Sequence, residues 1–116
     1  MTWMDKDGNI SHVRGDDFSL SFTDFKEDDI PINWTGWNIL IQVRESANSQ
    51  EKIIDFKNPD DIDLSVEGVM LITKSHEAFN HTAKTYVYDM QVTRPDNKIS
   101  TWLNNKKFFL LGDVAR

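Results

Sequence analysis

The sequence predicts an all-β domain: a two-sheet antiparallel β-sandwich, immunoglobulin-like or related, with one short helical turn near residues 75–80. Three observations predict it. Apolar side chains recur at every second position in several segments, such as Phe18, Leu20 and Phe22, or Trp37, Ile39, Ile41 and Val43, and that period marks a half-buried strand. Clusters of Gly, Pro, Asn and Asp interrupt these segments at roughly 8–12-residue spacing, the rhythm of a sandwich or small barrel. No amphipathic stretch is long enough to supply the crossover helices of a parallel α/β sheet. With 116 residues the chain fits a single domain, 1–116. Its seven Phe, four Trp and two Tyr supply enough apolar area for a real core.

The elements follow in order. Residues 1–9 read as a polar lead-in with a turn at Asp7-Gly8-Asn9. Trp3 stands in it as a large apolar group that either caps an edge of this domain or packs on another subunit. Ile10 to Arg14 can form a short strand and Gly15-Asp16 a turn, with Asp16 placed to end it by accepting backbone hydrogen bonds. Phe18, Leu20 and Phe22 then alternate with Ser19, Ser21 and Thr23. "KEDDIPINWTG" is turn-like, and Pro31 forces an extended residue before it. Thr35-Gly36 lets the chain turn sharply into the strongest strand, Trp37 to Arg44, whose Trp37, Ile39, Ile41 and Val43 share a face. After the polar "ESANSQE" loop come a short strand at 52–56, a turn at "KNPDDID", and strand candidates at 64–66 and 68–73. Ser75, with Ala78 and Phe79 three and four residues on, can cap and dock a single helical turn. Thr85 to Val92 alternates again, and Tyr86 and Tyr88 fill space between the sheets while their hydroxyls reach the rim. Asp89 lies on the other face, wet or paired with Arg94, Lys98 or Lys84. Pro95 to Lys98 makes a hairpin turn, and strands at about 99–103 and 107–111 close the chain.

Composition narrows the chemistry. The net charge is −6, with scattered basic residues, the opposite of the concentrated positive field that phosphate neutralisation needs; nucleic acid is not an expected partner. Cysteine is absent, which removes disulfides and thiolate zinc sites. No segment reads as a signal peptide or a membrane span, so no membrane is expected.

The candidate sites have plain structural readings. Asp16 and Asp17 are adjacent, and neighbours on a strand point to opposite faces, a poor arrangement for a carboxylate pair. "DKDGNI" fails as a calcium loop because Ile10 falls where the loop glycine belongs. Asp60, Asp61 and Asp63 suit an acidic turn. His76 and His81 are five apart rather than four, and His12 joins them only by tertiary accident, so the imidazoles are expected at the surface or partly buried, with no metal site. No serine sits in a nucleophile turn. The expectation is no enzyme, no catalytic residues and no cofactor. Trp3, Trp34 and Trp102 lie in or beside loops, which points to protein–protein contact, with packing inside the domain or a sugar platform as the alternatives.

Several of these pieces recur together in one protein class. "VRGDDFSLSFTDF" with Gly15-Asp16-Asp17-Phe18, the Ile32-Asn33-Trp34-Thr35-Gly36-Trp37 segment, Tyr86-Val87-Tyr88-Asp89-Met90-Gln91-Val92, Asn97 to Trp102 and the terminal Phe109 to Arg116 resemble the amino-terminal β-sandwich domain of tailed-phage structural proteins, the class of upper baseplate proteins and related tail or neck components. Trp34 stands where that class has an aliphatic residue, and Ala115 where it has a threonine. The resemblance implies a non-enzymatic structural component of a bacteriophage virion (baseplate, tail or neck) that assembles with itself as a homo-oligomer and with other virion proteins. It implies location in the virion after assembly in the host cytoplasm. The competing expectation is a carbohydrate-binding module serving host adhesion.

Overall fold

The computed structural model describes residues 1–112. Within them the chain is all-β apart from one 3-10 turn: β1 Thr2–Met4, β2 Ile10–Val13, β3 Phe18–Phe22, β4 Lys26–Glu27, β5 Ile30–Pro31, β6 Asn38–Arg44, β7 Lys52–Lys57, β8 Ile62–Asp63, β9 Met70–Lys74, the turn His76–Phe79, β10 Thr85–Thr93 and β11 Ile99–Leu111. A six-stranded sheet runs β1-β2-β11-β10-β6-β7, and a three-stranded sheet β3-β9-β8 packs on its inner face; β4 and β5 form a separate small hairpin. The sandwich is therefore as expected, with one departure: β2 pairs with β11 in parallel, Ile10 opposite Phe108 and Val13 opposite Leu111. The remaining pairings are antiparallel.

The alternation explains which side chains go in. Trp37, Ile39, Ile41 and Val43 are all buried, as are Tyr86, Tyr88, Met90 and Val92 across the β6–β10 ladder. Phe18 reaches from β3 to the rings of Phe56 and Phe108 on the opposite sheet, at centroid distances of 4.9 and 6.2 Å, so burial of aromatic area holds the two layers together. Phe79 is driven into the same space by its one-turn helix, whose Ser75 hydroxyl accepts the Glu77 N–H.

Four local readings are corrected. "KEDDIP" is a two-stranded hairpin rather than a plain turn, because Asp28 and Asp29 both take positive φ (52° and 63°), the conformation of a tight primed hairpin turn. The short strand expected at 64–66 lies instead at Ile62–Asp63. The two strands expected at the end of the chain are one, β11. Asn104-Asn105 has the composition of a turn, but the strand absorbs it as a bulge, with Asn105 at φ 51° and its N–H donating to Asp89 Oδ1 at 2.7 Å. Residues 2–4, read as part of a lead-in, form the edge strand β1. The Asp113-Val114-Ala115-Arg116 signature lies outside the described residues.

Turn residues do specific work. Gly36 sits at φ 82° in the turn closed by Trp37 N–H to Trp34 C=O (3.0 Å), and a Cβ there would meet Pro95 at 3.3 Å. Gly15 takes φ 96° between β2 and β3. Asn58 continues the β6–β7 ladder with its side chain: Oδ1 accepts the Ile39 N–H at 2.6 Å and Nδ2 donates to the Trp37 carbonyl at 3.1 Å.

Candidate functional site

The acidic groups serve as turn and cap acceptors. Asp16 donates its own N–H to the Val13 carbonyl (3.2 Å), closing the turn, while its carboxylate meets the Met1 ammonium. Asp17 points elsewhere: its Oδ1 accepts both the backbone N–H and the Nδ1 of His76 at 2.9 Å, and those bonds hold its pKa below the usual carboxylate value. The pair thus diverges, and the Asp17–His76 contact is solvent-exposed on both sides. It borders an open depression of about 650 Å³ with Ser19, Asp60, Asp61 and Lys74. Asp61 there is bound by Lys74 at 3.0 Å and by the Lys57 N–H, and Asp63 accepts the Ser65 N–H. Asp5 does the same in the first hairpin, accepting the N–H groups of Asp7 and Asn9. Among the described residues no three His, Cys, Asp or Glu side chains are placed to hold a metal ion.

The three histidines do not converge, and one of them corrects an expectation. His12 is fully buried. It shares the inner face of β2 with Ile10 and lies between Phe18 and Phe79, at centroid distances of 5.2 and 4.5 Å. Its Nε2 lies 3.0 Å from the Asp16 carbonyl and its Nδ1 2.7 Å from the Thr2 hydroxyl. A carbonyl can only accept, so Nε2 carries the proton and Nδ1 accepts from Thr2. Burial pushes the imidazole pKa down from 6.5, against the opposing pull of the Asp16 carbonyl and carboxylate.

Tryptophan placement divides the interface candidates. Trp34 is inside the domain: it is 5% exposed, its indole N–H donates to the Val69 carbonyl at 3.0 Å, and it sits edge-on to Trp37 at 5.3 Å. It is therefore withdrawn as an interface residue and as a sugar platform. Trp102 is half-buried against the same group, 5.6 Å from Phe25 and 6.0 Å from Trp37. It turns inward because it is the extra residue of a bulge, between Thr101 opposite Gln91 and Leu103 opposite Met90. Trp3 stays 43% exposed. Trp37, Tyr86 and Tyr88 fill the core as expected; the Tyr86 hydroxyl donates to the Thr82 carbonyl at 2.6 Å, and Tyr88 donates to the Gly8 carbonyl. Burial raises both phenol pKa values.

Trp3 belongs to a feature that loop composition did not signal. The register places Trp3 beside Ser11 and Ser11 beside Phe109; one step along, Val13 lies beside Leu111. Val13, Phe109 and Leu111 adjoin the buried His12, Phe108 and Leu110, and Trp3 stands between half-buried Thr2 and Met4, so all four occupy the outer face of the six-stranded sheet, partly or substantially exposed. Ser11, small and central, stands between Trp3 and Phe109 in the register. The signal was available: Phe108 to Leu111 is apolar at four consecutive positions, which a strand wet on one face does not need.

Further along that face the character changes. Asp89 bridges the β11 bulge and the Arg44 guanidinium, a cross-strand partner on β6 rather than Arg94, Lys98 or Lys84. Leu40, Gln42, Gln91, Thr101 and Asn104 complete a dent of about 190 Å³ around them, and the buried Arg44 Nε has no protein acceptor. The outer face thus carries an apolar end and a polar middle. No known protein family matches the chain, and no curated protein matches it.

Proposed function

We propose that this chain is a non-enzymatic structural component of a bacteriophage virion, in the baseplate, tail or neck, which binds copies of itself and neighbouring virion proteins. The virion assignment rests on the resemblance carried by Gly15-Asp16-Asp17-Phe18, the Trp34-Thr35-Gly36-Trp37 turn and the Tyr86 to Val92 strand. The assembly role rests on one observation, the apolar strip of Trp3, Val13, Phe109 and Leu111 on an open sheet face. Contiguous apolar surface of that kind marks docking sites, and a partly exposed indole is a favoured anchor.

The alternative, a carbohydrate-binding module, draws support from the amide-rich dent around Arg44 and Asp89. It loses its expected ring platform with the burial of Trp34.

Sedimentation velocity over a concentration series, together with co-expression with the structural proteins encoded beside this one, tests the reading. The wild-type chain self-associates or co-purifies with such a protein, and Trp3→Ser with Leu111→Ser abolishes the association while leaving the fold intact. A wild-type chain that stays monomeric at high micromolar concentration and retains none of those proteins sinks the proposal. A glycan array gives no signal.

A further inference from the structure

His12 joins three parts of the molecule. Thr2 ties it to β1, the Asp16 carbonyl ties it to the turn leading into the other sheet, and Phe18 and Phe79 enclose it. β1 is three residues long and lies at the sheet edge, held to β2 through Thr2, Trp3 and Met4. The bond from the Thr2 hydroxyl to a core imidazole adds to the Val13 N–H to Met1 carbonyl bond and the Met1 ammonium–Asp16 contact that hold this short strand. The Thr2 hydroxyl also receives the Ser19 N–H at 3.4 Å, so it sits between the two sheets, giving its proton to His12 and accepting from Ser19.

Protonation leaves the Nε2–H bond to the Asp16 carbonyl in place and disturbs the arrangement on its Thr2 side. An imidazolium donates from both nitrogens. Nδ1 stops accepting from Thr2, and the hydroxyl has to reverse while still facing the Ser19 N–H. The new charge lies between two phenyl rings, away from water, where a cation is costly. The charged groups around it pull both ways. Asp16 and Asp17 on the turn favour the cation, the Met1 ammonium beside β1 opposes it, and His76 of the 3-10 turn already occupies Asp17.

We infer that His12 is a pH-sensitive latch: in its neutral form it holds β1 in the sheet, and protonation releases β1 and withdraws Trp3 from the outer-face strip. The consequence for docking rests on the reading given above of that strip as an assembly surface; release of the strand does not. Acidification then dissolves the interface without unfolding the domain, because the β11–β10–β6–β7 ladders contain no part of the latch. The burial-lowered pKa places the opening below pH 6.5.

Fluorine NMR of the full chain labelled with 5-fluorotryptophan tests this without any partner, so failure of the latch and failure of the docking reading show up in separate experiments. Four resonances, assigned by single Trp→Phe variants, are followed from pH 7.5 downward. The Trp3 signal shifts toward that of an unfolded chain with a midpoint below 6.5, while Trp34, Trp37 and Trp102 hold. In His12→Gln, an uncharged amide that still donates and accepts, the Trp3 transition disappears. A Trp3 signal that does not respond to acid, four signals moving together, or an unchanged transition in His12→Gln each overturns the latch. Should His12→Gln not fold, Thr2→Val supplies the second arm: it removes the bond from the strand side, and Trp3 is then released at pH 7.5. A Trp3 that stays packed in Thr2→Val overturns the proposal equally.

Discussion

At one end of the β10–β11 ladder Phe18 and Phe79 enclose the imidazole of His12, and Phe56 and Phe108 pack on those two rings; toward the other, Phe25, Trp34, Trp37 and Trp102 close around one another. Both bury large rings. They differ in what their polar atoms do. The indole N–H of Trp34 ends on a backbone carbonyl at any pH, and Arg94 lies over Trp37 at 4.9 Å, carrying a charge that pH does not remove. The phenylalanine end instead contains an imidazole, whose charge changes in acid below pH 6.5. One end is a fixed anchor, and the other is an anchor whose strength depends on the medium. The exposed strip of Trp3 and Phe109 is attached to the second kind.

The largest expected effect comes from emptying either cluster. Phe18→Ala and Trp34→Ala each cost about 3–5 kcal/mol, read as a shift of the urea midpoint at constant slope. Trp34→Ala also leaves the Val69 carbonyl without its donor. A loss below about 1 kcal/mol at Trp34 is what surface aromatics show, and it would return that ring to the loop exterior where composition had placed it.

Acid separates the two ends next. His12 has its folded pKa below the unfolded value of 6.5, so at pH above 6.5 both states are neutral and stability does not change with this group. As pH falls below 6.5 the unfolded chain takes up the proton first, and stability declines until the folded pKa is passed. Each unit of depression corresponds to about 1.4 kcal/mol. Urea titrations between pH 7.5 and 5 show this decline in the wild type and in Trp34→Phe, and lose it in His12→Gln. Asp5, Asp17 and Asp63, whose carboxyls are lowered below 3.8 by accepted hydrogen bonds, act in a separate window. Their contribution is present above 3.8 and is lost as pH drops through their lower folded values.

A smaller effect is expected at the turn that aims Trp37. Gly36→Ala forces a side chain into the left-handed region and against Pro95, costing about 1–2 kcal/mol. Gly15, at φ 96° in the turn that presents the Asp16 carbonyl to His12, is the counterpart at the other end, so Gly36→Ala weakens the tryptophan end selectively, measured as loss of near-ultraviolet dichroism from the indoles.

The two ends were not equally legible in the sequence. Period-two alternation found the sandwich, the Trp37 strand and the burial of Phe18, Tyr86 and Tyr88, because each depends only on which face a residue takes. It missed Trp102, whose inward turn needs a bulge that no residue type announces, and Trp34, whose burial depends on the neighbouring hairpin. His12 shows a different failure. Its position two residues after Ile10 already put it on the core face, but the residue type favoured the surface. Its partners, Thr2 and the Asp16 carbonyl, lie ten and four residues away in segments read as a lead-in and a turn. The outer-face strip was hidden for a related reason. It needs the parallel β2–β11 pairing to bring Val13 beside Leu111, and pairing between the two ends of a chain leaves no mark on local periodicity.

The smallest effect sharpens the contrast at its rim. Arg94 makes two contacts at the tryptophan end: its guanidinium donates to Glu27 Oε1 at 2.5 Å and covers Trp37. Both partners of the ion pair are substantially exposed, so Glu27→Gln costs only about 0.2–1 kcal/mol, and that loss shrinks at high salt. Arg94→Ala also removes the flat cover from the indole, a contact of about 0.5–1 kcal/mol that salt screens far less. Urea midpoints for both variants, measured at low salt and at about 1 M, where the Debye length falls to roughly 3 Å, separate the two contributions. Glu27→Gln converges on wild type and Arg94→Ala does not. If both converge, the cover over Trp37 contributes no stability, and the tryptophan end depends on its buried rings and the Trp34–Val69 bond alone.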